Sequence, residues 1–119
     1  MHYEFRWDVI PANLDFLLSG LGQTLLICAC TLLASMFGGL AIALLDMSRH
    51  RALRWFGMGF GEIIRNTPIL VQILWVYYVL PMVFDISIDA LPAAIIALSV
   101  YSSAFLAEAY RAGIQAVPP

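Results

Sequence analysis

The sequence contains no lysine, and all six of its basic side chains are arginines. With a formal net charge of −2, that composition excludes a nucleic-acid-binding role, which needs a broad basic footprint. Charged residues of both signs make up only 12% of the 119 residues, against about 25% in an ordinary soluble domain. Only two cysteines occur. Cys28 and Cys30 are two positions apart, so on a helix they point about 200° from each other. They share neither a disulfide nor a metal in that geometry and read as buried small hydrophobes. His2 and His50 flank the first apolar run at opposite ends, which excludes a haem pair at mid-membrane. There is no Ser/His/Asp set, carboxylate pair or zinc-ligand spacing at one membrane depth, so the chain is expected to be no enzyme and to bind no metal or cofactor. Residues 57–61, GMGFG, lack the strand and the spacing of a phosphate-binding loop. Low-complexity tracts and internal repeats are also missing.

What is present is apolar: 62% of residues are hydrophobic and the mean hydropathy is +0.88. Three uncharged runs stand out, at residues 16–45, 68–84 and 90–107. A helix needs roughly 20 residues to cross hydrocarbon, with a lower limit of about 17, and each run qualifies. The first is too long for the apolar core of a signal peptide, and its mostly acidic flank is wrong for one. The expected architecture is therefore an all-α integral membrane protein with three spans and a cytoplasmic segment at about residues 46–67. Arg49, Arg51, Arg54, Arg65 and Arg111 fall on one side of such a membrane, and Arg6 with Asp85 and Asp89 on the other. The positive-inside rule then puts the N-terminus outside and the C-terminal end in the cytoplasm. Aromatic residues suit the two interfaces: Tyr3, Phe5 and Trp7 outside, Trp55 and Phe56 inside, and Tyr77 and Tyr78 toward the outer end of the second span.

The junction Arg65-Asn66-Thr67-Pro68 looks wrong for a membrane helix unless a span begins there. Proline has no amide proton to donate to the Ile64 carbonyl, and it biases Thr67 away from helical geometry. With Thr67 as N-cap and Pro68 in the first turn, both difficulties vanish. Arg65 then stays at the headgroups, avoiding a cost of at least about 2.5–3.5 kcal/mol in the bilayer core. The alternative is one long helix kinked at Pro68.

Three motifs converge on one family: GLGQTLL at residues 20–26, RNTPILVQILWVYYVLP at 65–81 and YSSAFLAEAYRAGIQAVP at 101–118. Together they resemble the membrane-spanning permease subunit of binding-protein-dependent ABC importers, in particular the polar amino acid uptake family. The resemblance implies a five-span fold that pairs with a second, identical or homologous permease. It also implies two ATPase subunits on the cytoplasmic face, where ATP is bound and hydrolysed, and an extracytoplasmic amino acid binding protein. In that family a Gly-Gln pair and the coupling loop directly follow the position of Pro118–Pro119, and Pro119 stands where a basic residue is common. The sequence is thus expected to be the N-terminal portion of a longer permease of the bacterial inner membrane.

Within this reading Tyr101, Ser102, Ser103, Ala104 and Phe105 line the gate or passage, or else form an ordinary packing face. Glu108 and Arg111, three apart on one helix face, pair at the cytoplasmic mouth. Gln72 contacts substrate or bonds to another helix. Ala34 with Gly38, and Ser35 with Gly39, allow close helix approach, within or between subunits. The loop with Asp85 and Asp89 is expected to touch the binding protein. Two other classes compete: a small proton-coupled exporter, which wants four spans and a buried carboxylate, and a passive membrane anchor, which leaves the Thr67–Pro68 junction unexplained.

Overall fold

The structure, a computed structural model, describes residues 4–118. His2, Tyr3 and Pro119 lie outside the described residues. Among those described, every regular element is helical. A short turn of helix, α1 (Val9–Ala12), leads into α2 (Leu14–Asp46), followed by α3 (Arg51–Asn66). Next come α4 (Ile69–Leu74), a π-helical turn (Trp75–Val79) and α5 (Leu80–Phe84), which run on from one another, and then α6 (Ala90–Ala116).

Two helices, α2 and α6, are each long and apolar enough to cross a membrane. With 33 residues, α2 measures about 50 Å, well beyond a hydrocarbon core of about 30 Å. The second apolar run, expected to cross by itself, is too short as a helix to do so. Ile69–Phe84 reaches spanning length only when joined to α3, from which it is bent by 105°. The chain therefore turns a corner at Thr67–Pro68, and a mildly kinked continuous helix does not describe it.

The corner follows from local chemistry, with one correction to the sequence reading. Pro68 itself occupies the N-cap position of α4, with extended backbone at φ −58°, ψ 140°. Thr67 caps nothing in α4. Its hydroxyl donates backward to the Ile63 carbonyl at 2.7 Å, closing the end of α3. That carbonyl has lost its ordinary helical partner because the Thr67 amide turns to the Ile64 carbonyl, at 3.3 Å. Further on, the Leu80 amide bonds to the Trp75 carbonyl five residues back. This wide turn immediately precedes Pro81, whose ring crowds the carbonyl four residues behind it. Helix α5 ends at Asp85, which adopts the left-handed conformation (φ 52°) while the Ile86 amide returns to the Pro81 carbonyl at 3.1 Å.

The interior is a seam of small side chains. Among the described residues the buried apolar side chains are all alanines: Ala43, Ala93, Ala97, Ala104 and Ala107. Ser35, Gly39 and Ala43 recur at four-residue spacing along α2 and form its buried stripe. It faces α6 of the same chain: a Cβ on Gly38 would meet the Ser103 side chain, and one on Gly39 would meet Leu106 and Ala107. Ser35 and Gly39 therefore pack within the subunit, whereas Ala34 is exposed. Large apolar groups point outward; Phe16, Phe37 and Met82 are each at least 75% exposed. Such a surface suits lipid or further helices and would be insoluble in water. Cys28 is likewise exposed and Cys30 half-buried, so the expectation that both are buried fails.

Candidate functional site

Three helices converge at the arginine-rich end, and their charges assemble there. Glu108 of α6 accepts from Arg111 through Oε2 at 2.6 Å, the expected i, i+3 pair. Its other oxygen lies 3.3 Å from Arg65 of α3. Arg65 also donates to the Ala104 carbonyl at 3.1 Å. Thus Arg65 reaches across to α6, where the sequence had suggested only that it stayed among headgroups. All three side chains are partly exposed. Space for the Arg65 guanidinium comes from Gly61, where a Cβ would lie 2.9 Å from Nη1.

Asp46, the last residue of α2, completes the cluster. It is 5% exposed, and Arg111, Glu108 and Arg65 all act on its charge. Its Oδ1 has no hydrogen-bond partner among the described residues. A Cβ on Gly57 would come 2.5 Å from that oxygen, so only glycine admits the carboxylate at this approach. From the sequence, residue 46 only begins the expected cytoplasmic segment, and GMGFG is set aside as a phosphate-binding loop. Gly57 and Gly61, four apart, carry the same small-residue signal that had been recognised in α2.

Gln72 sits at the inside of the corner, 9% exposed. Its amide donates to the Ile64 carbonyl at 2.8 Å and to the Thr67 carbonyl at 3.0 Å. Ile64 is the residue whose acceptor Pro68 leaves without a helical amide; the Thr67 amide supplies a second, longer bond at 3.3 Å. Gln72 therefore braces α3 against α4 by replacing the missing backbone donor. Gln72→Leu removes both bonds and buries two under-satisfied carbonyls, so it is expected to lower stability by about 1–3 kcal/mol. Met82→Leu, at an exposed position, should stay within about 0.5 kcal/mol. Thermal unfolding of the two variants in one detergent checks the contrast; equal midpoints would remove Gln72 from the brace. An apolar cavity of about 400 Å³ opens beside it, lined by Ile64, Thr67, Gln72, Val76, Ala97 and Val100 among others.

The five residues expected at the gate divide between two faces of α6. Ser103 and Ala104 are buried, Ser103 against Gly38 with its hydroxyl donating to the Ser99 carbonyl at 2.6 Å. Tyr101 and Ser102 are half-buried and Phe105 is exposed. The Tyr101 and Phe105 rings pack one turn apart, with centroids 4.9 Å apart and planes tilted by 57°. Asn66 ends α3 and is exposed, as is Pro68.

Residues 34–119 match the family described as binding-protein-dependent transport system inner membrane component. The chain belongs to this family. Relatives within it include the arginine transport system permease protein ArtQ of Bacillus subtilis (strain 168). The two are 34% identical over 117 residues, which is 98% of the chain and 52% of that relative. The glutamine transport system permease protein GlnP of Escherichia coli (strain K12) is 34% identical over 119 residues, covering 96% and 52%. Among solved structures, a chain from the crystal structure of an amino acid ABC transporter with histidines superposes with a TM-score of 0.91 at 36% identity. That match covers 98% of this chain and 54% of the other. The chain spans about half the length of the curated relatives it matches. The family is one of multi-pass inner-membrane components, in keeping with the two long apolar helices.

Proposed function

We propose that the chain forms part of the membrane-spanning permease subunit of an ATP-driven importer for a polar amino acid. The observation that supports this most strongly is the superposition over nearly the whole chain, at 36% identity, on an amino acid ABC transporter. In this reading the helices contribute to the translocation pathway and do no chemistry themselves. A second permease subunit completes the passage, ATPase subunits bind and hydrolyse ATP at the cytoplasmic face, and an extracytoplasmic binding protein delivers substrate. The chain crosses the inner membrane three times, with the N-terminus outside and the arginine-rich end in the cytoplasm. The positive-inside rule supports that orientation.

The site residues take distinct parts. Tyr101, Ser102 and Phe105, on the open side of α6, line the passage. Ser103 and Ala104 hold α6 against its neighbours. Glu108 and Arg111, with Arg65, fix the cytoplasmic mouth, and Gln72 keeps the corner that starts the second crossing at Arg65-Asn66-Thr67-Pro68. The loop with Asp85 and Asp89 faces the binding protein.

Affinity purification of the protein from its native membrane tests the assignment. An ATP-hydrolysing subunit should co-purify, and a soluble amino acid binding protein should be captured when its ligand is present. Recovery of neither from a folded preparation would overturn the import reading.

A further inference from the structure

Helix α3 has three distinct sides. Gly57 and Gly61 press it onto Asp46 and under Arg65, so one side belongs to the protein core. Phe56, Phe60 and Ile63, spaced by four and three, share a second side and are 64%, 37% and 68% exposed. The Phe56 and Phe60 rings stack at 6.2 Å along it. The remaining side opens at its start into a broad depression lined by Arg51, Ala52, Arg54 and Trp55. Arg49, His50 and Arg51 are exposed and Arg54 is half-buried, while Asp46 is buried and the next acid is Glu62. The exposed start of α3 is therefore cationic without a compensating carboxylate.

Orientation adds a second, independent observation. The 105° bend leaves α3 only about 15° from perpendicular to Ile69–Phe84. If that segment crosses the bilayer, α3 lies along its surface, with an apolar side and a cationic rim. This is the layout of an interfacial helix, whose binding grows with buried apolar area and with attraction to anionic lipid.

We propose that α3 is an anionic-phospholipid site, in which Arg49, Arg51 and Arg54 hold headgroup phosphates while Phe56, Phe60 and Ile63 enter the acyl boundary. Arginine suits the role because its fork of donors matches phosphate oxygens. Each arginine near an anionic surface strengthens association by about fivefold. Charge sign, helix tilt and the adjoining aromatic side all favour lipid over a protein occupant. The proposal rests on the cytoplasmic placement of the arginines, which a separate measurement tests.

The full chain with Trp7→Phe and Trp75→Phe keeps Trp55 as its only indole. It is reconstituted in phosphatidylcholine vesicles containing a minor fraction of phosphatidylglycerol, and either lipid is supplied brominated on its acyl chains. Brominated phosphatidylglycerol should quench Trp55 about threefold more than an equal fraction of brominated phosphatidylcholine. The preference should disappear in the Arg49→Gln, Arg51→Gln variant, and in high salt, which screens exposed charge. Equal quenching by the two lipids would overturn the site while leaving the helix at the interface. Absence of quenching by either would overturn it too, because α3 would then be covered by protein or lie away from lipid. Sidedness is read independently from Ser48→Cys in a background lacking Cys28 and Cys30. Labelling by an impermeant maleimide from the outside would sink the orientation itself.

Discussion

Replacing Gly39 with leucine will separate α2 from α6 and abolish accumulation of the folded protein. The approach of the two helices leaves no room for any side chain at this point. A Cβ on Gly39 would lie 2.8 Å from the Leu106 Cβ, 3.2 Å from the Ser103 carbonyl oxygen and 3.3 Å from the Ala107 amide nitrogen. Two of these are backbone atoms and the third is fixed to the backbone, so no rotamer change relieves the overlap. Helices in a bilayer gain little from the hydrophobic effect on association and depend on close packing between small residues. Even Gly39→Ala should cost about 1–3 kcal/mol through forced displacement of α6. Gly20→Ala and Gly113→Ala provide the comparison, because a Cβ at either position meets nothing within 4 Å. They should be neutral or stabilising by about 0.5–1 kcal/mol, since alanine suits a helix better than glycine. Membrane accumulation and melting in detergent read the series. A Gly39→Leu protein that accumulates and melts like its parent would show that the seam is placed elsewhere.

Removing the Glu108 carboxylate is expected to be the most damaging single change in the charge cluster. Its two oxygens serve two arginines from different parts of the chain, Arg65 at 3.3 Å and Arg111 at 2.6 Å. Truncation leaves those guanidinium groups adjacent to each other, with only the buried Asp46 to balance them. Partial exposure screens the interaction, so the expected cost of Glu108→Ala is about 1–2 kcal/mol, between exposed and buried pairs. A double-mutant cycle gives the sharper test. Arg65→Ala should cost less in the Glu108→Ala background than in the parent, with a coupling of about 0.5–3 kcal/mol. The coupling should shrink in high salt. Strict additivity of the two changes would mean that Arg65 is held by the Ala104 carbonyl alone. Because Arg65 lies in the last turn of α3, two residues before Thr67, this pairing also ties the bend to α6.

Features that depend on one helix alone were legible from residue order. The Glu108–Arg111 pair follows from a three-residue separation, because the helical period fixes which side chains are neighbours. The break at Thr67–Pro68 follows from proline's missing amide. The motifs at residues 65–81 and 101–118 pointed to the family. Other features resisted. Thr67 was assigned to the start of α4, yet its hydroxyl closes α3, since a threonine at a junction has a free carbonyl within reach on one side and a free amide on the other. Gln72 was recognised as an interior polar group. That it donates to Ile64, eight residues back, depends on the 105° bend at the corner.

The amino-acid order by itself settled the apolar helical class, the place where the chain must break, and the pairs one turn apart, because each depends on composition or on the fixed geometry of a single helix. Only the tertiary structure decided that Arg65 meets Glu108, that Gly57 makes room for Asp46, and that Ser103 turns into the seam while Tyr101 and Phe105 do not. Those contacts depend on how α2, α3 and α6 are rotated and displaced relative to one another. Small residues permit such approaches at many registers, and the register is chosen by the sum of all the contacts along the seam.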